Sequence, residues 1–567
     1  MKKPRFIFWM LPALIFLPAH SWATGKDRVP QFPLKNERRL YSEQDLATAQ
    51  GNIERYSTAQ AIAETEIARA SEWLSWSDEE LASLIAEATV PRAFNVGTNG
   101  CPMCGKRIYE KGGTYPWIID PRNPYQVKCP VDGAVFPSND YKAFYRSGGK
   151  DRSLLTGDYP DDGWGWVGPD GHRYWFVAYA NHWNLENHIL PAVRYLARAY
   201  LLTGDTQFAH KALVLLHRIA DVYPDLDYHT QSRYGQLQAA QGARYEGKFV
   251  NLIWETSVLY MLAEAYDCVW DFVDRDEVLQ ERLGKSGEEI RAFIEANLLE
   301  EGIDCIFAGK IRGNYGMHQK ALTYAALARD EGPVEEWLGT ILRGVSDNPL
   351  FLGLEYSLYN LIYRDGVPYE TSPGYNFSWI RNITEIGETL KKAGIDIYEY
   401  PRTRQLYEGV LDVVAIGEHT PALGDASNVY GGLVGQDPFT YQAAWRAYRD
   451  PRYLNFLAMM KKTGADSFSQ FESLFHEAIP EATGGERLPP HRSRLLDGYG
   501  MGILNNPENT IAVSCYYGYK GGHGHFDRLH FDLFANGWPM MPDTGYPDFM
   551  NAYVPGIYSW SKNTIAH

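Results

Sequence analysis

The spacing of apolar positions divides the chain into two regimes. From 181 to about 465 they recur every three to four residues, in runs parted by short polar breaks. That period lays apolar side chains along one face of a helix. It predicts helices over 189–202, 211–222, 250–273, 286–299, 316–328, 334–345, 377–393 and 403–416. The first stops at Thr203-Gly-Asp205, where glycine can take the left-handed conformation that ends a helix. Residues 24–95 also read as helical and amphipathic, with 47–70 rich in Ala, Glu and Ile and an acidic first turn at Asp78-Glu-Glu80. From about 490 the period falls to two. Strands are expected at 499–504, at Thr510-Ile-Ala-Val-Ser-Cys-Tyr-Tyr517 and across 529–535. Residues 140–180 read as aromatic loop, with Asp161-Asp-Gly-Trp-Gly-Trp166 and Tyr174-Trp-Phe176 on the surface.

Helical hairpins in that number argue for an α/α toroid, and the switch to period two for an antiparallel, sandwich-like β-sheet domain after it. The expected fold class is multidomain α+β. The expected division is a targeting segment at 1–23, an N-terminal helical segment with a cysteine knuckle at 24–165, a toroid at 166–485 and a β-sheet domain from 486 to 567. So short a sheet domain leaves edges unpaired. Thr564-Ile-Ala-His567 also reads as a strand just beginning, so the domain is expected to be a C-terminally truncated fragment.

Residues 1–23 carry a basic start (Lys2, Lys3, Arg5), an apolar run at 6–17 and a small-x-small site at Ser21-Trp-Ala23. This predicts a cleaved signal peptide and a periplasmic or secreted protein with no membrane span after cleavage. A net charge of −16 and the lack of a basic run argue against nucleic acid as a partner. Sixteen Trp and 39 Tyr suit either stacking on the apolar faces of sugar rings or an aromatic-rich helical core.

Cys101-Pro-Met-Cys104 and Cys129-Pro-Val-Asp132 resemble the two knuckles of a zinc ribbon, with Asp132 where a fourth Cys would stand. Cys101, Cys104, Cys129 and Asp132 are therefore candidate ligands of a structural zinc. A disulfide with one spare thiol is the alternative, and a redox motif lacks its βαβ setting. Cys268, Cys305 and Cys515 lie in apolar surroundings and read as buried thiols.

Gly521-Gly-His-Gly-His-Phe-Asp-Arg-Leu-His530 is a glycine-rich corner between two expected strands. If it is locally extended, His523 and His525 project to one side. Pro542-Asp-Thr-Gly-Tyr546 follows. With Thr564-Ile-Ala-His567, this constellation resembles the heparinase II/III-like polysaccharide lyases over roughly residues 180–567. The resemblance implies that His523 is catalytic. It implies that His525, Asp543 and His567 hold a structural metal; a nitrogen and oxygen set suits zinc, with manganese the alternative. No organic cofactor is expected.

Cutting a uronate polymer without water requires neutralising a carboxylate, removing the proton beside it and protonating the leaving oxygen. Lys310-Ile-Arg-Gly-Asn-Tyr-Gly-Met-His-Gln319 offers Asn314 at an expected helix start, where free N–H groups favour anions. The resemblance makes Asn314 the carboxylate contact, with Arg312, His318 and Gln319 as further substrate contacts; a simple helix cap is the alternative. Arg364-Asp-Gly-Val-Pro-Tyr-Glu-Thr-Ser-Pro-Gly-Tyr-Asn376 is similar to the segment whose last Tyr is the family's acid/base, here Tyr375, with Glu370 beside it. Leu423-Gly-Asp425 resembles a cleft-lining segment, which makes Asp425 a substrate contact. Ala180-Asn-His-Trp183 and Trp254-Glu255 have cleft-like composition and are as readily structural.

The implied activity is β-elimination on a uronic-acid-containing polysaccharide, glycosaminoglycan- or alginate-like. A uronyl C5-epimerase, an inverting hydrolase using carboxylates among Asp365, Glu370 and Asp425, and a non-catalytic carbohydrate-binding protein are the alternatives.

Overall fold

The computed structural model describes residues 32, 34–93, 100–113, 115–228, 246–251, 253–345, 348–426, 431–433, 437–482, 492–519, 521–526 and 528–543. The expected signal peptide at 1–23 and His567 lie outside them.

Helices dominate up to residue 459. They are α1 (Glu43–Arg55), α2 (Ser57–Ser71), α3 (Phe176–Asn184), α4 (Leu190–Thr203), α5 (Thr206–Val222), α6 (Glu255–Val269) and α7 (Gly287–Ile294). There follow α8 (Met317–Ala328), α9 (Val334–Arg343), α10 (Pro373–Lys392), α11 (Pro401–Val413), α12 (Pro438–Tyr448) and α13 (Pro451–Met459). Local chemistry sets many ends. Gly204, left-handed at φ 70°, stops α4, and the Asp205 side chain accepts from Gln207 N–H to open α5. Proline with its preset φ opens α10, α11, α12 and α13.

α2, α4, α6, α8, α10 and α12 touch in succession as an inner layer, and α5, α9, α11 and α13 each pack outside on a sequence neighbour. The turn Phe471–Phe475 packs on α1 and α2, and Phe439 of α12 lies 5.6 Å from His476, which brings the ring back to its start. This is the α/α toroid the helical period implied. It draws on α1 and α2 as well as on residues after 166. The axis is charged rather than greasy: Arg198 Nη2 lies 2.7 Å from Glu264 Oε1 and 2.5 Å from Glu472 Oε1, and Arg194 Nε 2.7 Å from Glu264 Oε2. Buried charges persist only when paired in this way.

Three short antiparallel strands, β1 (Ile118–Ile119), β2 (Val127–Lys128) and β3 (Val135–Phe136), form a small sheet beside α3. The larger sheet holds β4 (Arg494–Leu496), β5 (Met501–Asn505), β6 (Ile511–Tyr516), β7 (Phe531–Ala535) and β8 (Trp538–Met541). It is an antiparallel meander with strands side by side in sequence order. Ser514 pairs with Ile503 on one side and Asp532 on the other. Alternation sets its faces: Ala512, Ser514 and Tyr516 are buried, whereas Ile511 is exposed. The buried face packs Met501, Ile503 and Ala512 on Val367, Val413 and Leu423 of the helical region.

Several expectations need correction. Residues 47–70 are helical as read, in two helices parted at Tyr56, which is extended at φ −123° and ψ 122°. The helix expected from 250 starts at Glu255, whose buried carboxylate accepts the N–H groups of Lys248 and Val250 and holds them as a loop. Residues 140–180 are not surface loop throughout. Asp161 is fully buried and accepts N–H bonds from Gly163, Gly165 and Val177, while Tyr174 and Phe176 are core residues. Cys515, expected as a buried thiol, is half-buried; Cys268 and Cys305 are buried free thiols.

Candidate active site

The sheet docks where the segment before α10 meets the glycine corner. Tyr499 N–H donates to Asp365 Oδ2 at 2.9 Å, and the Tyr499 hydroxyl donates to the Thr371 carbonyl. Gly521 N–H donates to Thr371 Oγ1 at 2.5 Å. From the other side Asp425 N–H donates to the His523 carbonyl at 2.9 Å. The corner is thus clamped between 369–371 and 424–425. A Cβ at Gly521 would lie 2.6 Å from the Tyr369 carbonyl oxygen, and one at Gly424 2.5 Å from that of His523. Only glycine admits backbones this close.

Both imidazoles meet one carboxylate. His523 Nδ1 lies 3.0 Å from Asp425 Oδ2, and His525 Nε2 lies 2.9 Å from Asp425 Oδ1. The period-two geometry of the corner therefore does put them on one side. An ionised carboxylate only accepts, so each of those ring nitrogens carries the proton. In its neutral form His523 is left with Nε2 as its basic nitrogen. Asp425 has no exposed side-chain surface. It is correspondingly a holder of the two histidines and not the substrate contact expected from the sequence.

A cleft of about 480 Å³ opens in front of His523. Asn314, Tyr375, His523 and Glu370 all line it, together with Trp254, Tyr260, Lys320, Ser378, Arg381, Asn382 and Glu385. The three residues expected to be catalytic come from the loop before α8, the first turn of α10 and the sheet corner, yet share this one opening. Tyr375 stacks on His523 with ring centroids 3.3 Å apart and an angle of 6° between planes. Proline at the first position of α10 fixes the turn that presents Tyr375. Glu370 is buried behind the corner. Burial raises its carboxyl above the usual range, His523 opposes this through its charge and a backbone N–H bond, and Asp425 adds to it.

The remaining residues of the Asn314 motif sort differently. Gly316, left-handed at φ 91°, is the cap of α8, and its N–H donates to Gln319 Oε1 at 2.9 Å. Asn314 is therefore exposed in the cleft and not spent as the cap. Gln319 closes the helix start from a buried position, and His318 is buried too, so neither is placed to touch substrate. Arg312 is exposed but does not line the cleft. His182 and Asn181 are buried, with Asn181 bonded to the Pro91 carbonyl, so that segment is structural.

Sequence reasoning missed the cations. Lys320 Nζ lies 2.7 Å from Glu385 Oε2 and Arg381 Nε 3.2 Å from Glu385 Oε1. Glu385 thus holds both cations on this wall, and Arg381 Nε also lies 3.8 Å from Asp437 Oδ2. A signal existed: 375, 378, 382 and 385 recur at helical spacing along one face of α10, with Arg381 beside them. The Trp254-Glu255 pair also resolves. Glu255 is fully buried, whereas Trp254 is 45% exposed at the cleft.

The second histidine suits a metal. His525 and Asp543 are buried, and His525 Nδ1 lies 4.0 Å from Asp543 Oδ1, beyond a hydrogen bond and close enough for one cation between them. The Asp425 bond to Nε2 would then fix the tautomer that leaves Nδ1 as ligand, as outer carboxylates do for metal-bound imidazoles. His567 lies outside the described residues.

Comparison with known proteins adds the following. An alginate lyase from Stenotrophomonas maltophilia (strain K279a) is 24% identical over 404 residues, covering 65% of this chain and 48% of that protein. The chain thus spans about half the length of this curated relative. Among solved structures, a heparinase III gene product is 14% identical at a TM-score of 0.41, over 64% of this chain and 51% of that one. The heparan sulfate lyase HepC from Pedobacter heparinus is 15% identical at a TM-score of 0.39, over 88% of this chain and 65% of that one. The family model described as heparinase II/III-like, C-terminal, matches residues 489–567, the stretch that contains the histidine corner.

Proposed function

We propose that the protein is a lyase that cleaves a uronic-acid-containing polysaccharide by β-elimination. The observation that carries the reading is the stack of Tyr375 on His523 in a cleft shared with Asn314. Asn314 donates its amide to the uronate carboxylate, which makes the C5 proton removable by spreading the charge that develops. Tyr375 as its phenolate, or the Nε2 of neutral His523 with Tyr375 as the phenol, takes that proton. The C5 electron pair becomes the C4–C5 double bond, the C4–O bond breaks, and Tyr375 returns a proton to the leaving oxygen. When C5–H and the leaving oxygen lie on one side of the sugar, Tyr375 serves both; when they lie on opposite sides, His523 is the base. Lys320 and Arg381 place cationic N–H donors on the wall that an acidic polymer would meet, and Trp254 offers an exposed ring face for a neighbouring sugar.

A divalent metal, zinc in this reading, would be held by His525, Asp543 and His567. Its role would be to brace the corner that presents His523. The hydrolase alternative is disfavoured because Asp425 is buried behind two histidines and Asp365 accepts the Tyr499 N–H. Export after cleavage at Ala23 belongs to the same reading. Among the described residues no helix is long and apolar enough to cross a membrane.

A panel of alginate, heparan sulfate and other uronate polymers incubated with the protein tests this. The expected result is growth of the ultraviolet absorbance of an unsaturated uronate on at least one polymer. Epimerised polymer, or new reducing ends, without that absorbance would refute elimination.

A further inference from the structure

Outside the lining of the cleft, two short turns face each other. Cys101-Pro-Met-Cys-Gly105 and Cys129-Pro-Val-Asp-Gly133 share a pattern, and they share a conformation. Gly105 N–H donates to the Cys101 carbonyl at 2.8 Å, and Gly133 N–H to that of Cys129 at 3.0 Å. Both glycines are left-handed, at φ 60° and 75°. Asp132 thus occupies in the second turn the position that Cys104 occupies in the first. The chain between the turns folds back through α-helical Arg107–Gly112 and the β1–β2 hairpin, which brings the two together.

The four ligand atoms lie within 4.8 Å of one another. Cys104 Sγ is 3.7 Å from Cys129 Sγ, and Cys101 Sγ is 3.7 Å from Asp132 Oδ2. Zinc–sulfur bonds of about 2.3 Å at tetrahedral angles separate two sulfurs by about 3.8 Å. A disulfide would need about 2.05 Å, and all three cysteines are free. The backbone N–H groups of Met103 and Cys104 both point at Cys101 Sγ, so the first turn wraps its sulfur as a knuckle does. Three sulfurs with one carboxylate is too soft a set for calcium or magnesium.

We propose that Cys101, Cys104, Cys129 and Asp132 bind one zinc ion that staples the small N-terminal sheet. Four protein ligands complete the tetrahedron and none lines the cleft, so the ion is structural. It closes the open edge of a core in which Ile108, Trp117, Val127 and Phe136 pack on Phe176 and Tyr179 of α3. This site is separate from the one at His525, and it stands whether or not the protein is a lyase.

The test is metal analysis of the purified full chain beside its variants. Cys104→Ser and Asp132→Ala should each lose one equivalent of zinc that His525→Ala retains. Asp132→Cys should keep that equivalent and hold it against a chelator longer than the wild type. Should the loss variants fail to fold, the wild type still decides. Titrating its thiols with an organomercurial should release zinc in proportion, and denatured unreduced protein should show all six thiols. Wild-type zinc content in Cys104→Ser, no zinc release from the wild type, or two thiols missing from the denatured count would each overturn the proposal.

Discussion

Replacing Asp425 by Asn keeps the shape of the side chain and removes an acceptor that two histidines use. Asp425 accepts from His523 at Oδ2 and from His525 at Oδ1, and it has no contact with solvent. An asparagine offers one oxygen and one NH2 group, so only one imidazole can go on donating. The other must turn its lone pair to the amide. If that ring is His523, its proton moves to Nε2 and the base is lost. If it is His525, Nδ1 gains the proton and the nitrogen facing Asp543 no longer ligates. Each charge-assisted hydrogen bond of this kind contributes about 1.5–3 kcal/mol, so the folded state should lose about that much in either case. Loss of a general base costs about 10²–10⁴ in rate. The two arms separate by assay. Steady-state kinetics should show kcat down by that factor with KM little changed and bound metal kept, or metal content down with the thermal midpoint lowered by several degrees. A variant with wild-type kcat, metal content and midpoint would refute the claim that one carboxylate organises both histidines.

Three further outcomes follow from the same geometry. Tyr375→Phe keeps the ring that stacks on His523 and removes the hydroxyl, so kcat should fall about 10²–10⁴ while binding of substrate persists; near-full activity would dismiss the tyrosine from the chemistry. Trp254→Ala removes an exposed platform, and the loss of roughly 50–80 Å² of apolar contact at 25 cal/mol/Å² is about 1–2 kcal/mol, seen as a KM raised roughly 5- to 30-fold with a smaller change in kcat. Glu255 is a buried carboxyl that burial pushes up to about 7 from 4.5. Its native form therefore holds a proton that the unfolded form gives up, so stability should fall as pH rises from about 4.5 to 7. Glu255→Gln keeps acceptors for Lys248 and Val250 and should flatten that part of the denaturation profile; an unchanged slope would remove Glu255 as a source.

The helical period located most of the ring because each helix buries one face against two neighbours, and burial is what the apolar spacing records. It missed the break at Tyr56 because both flanking helices face the same core, so no change of phase marks the join. The buried state of Asp161 was hidden because its acceptors are satisfied by backbone N–H groups at 163, 165 and 177, which no side-chain pattern reveals. Within the site, Tyr375 and His523 were legible as motifs. The role of Asp425 was not, since it depends on a corner nearly a hundred residues further on. Gln319 misled for a local reason: it follows Gly316 by three residues, the spacing of a capping box, and its oxygen turns back to the helix start instead of toward the cleft.

The same corner explains why catalysis and fold cannot be varied independently here. His523 is held through its carbonyl by Asp425 N–H, through its ring by the Asp425 carboxylate and by the Tyr375 face, and through its N–H by Glu370. Those partners come from the 424–425 loop and from the start of α10, both on the toroid, whereas His523 belongs to the sheet. Any slip of the sheet on the toroid would pull the imidazole off Tyr375 before it exposed much apolar surface. The contacts that resist a slip are polar and local: Arg364 to Asp497, Tyr499 to Asp365 and Thr371, Gly521 to Thr371. The buried face of β5 and β6 supplies adhesion without direction, because apolar contact is non-directional. Register at the junction therefore rests on two strips: 365–371, the segment that leads directly into Tyr375, and 412–425, where Arg494 donates to the Val414 carbonyl, Asn505 to the Ala415 carbonyl and Ala422 N–H to Asp532. Tyr375, the acid/base of the proposed mechanism, stands at the end of one of the strips that align the two domains, so positioning the sheet also positions the tyrosine against the histidine.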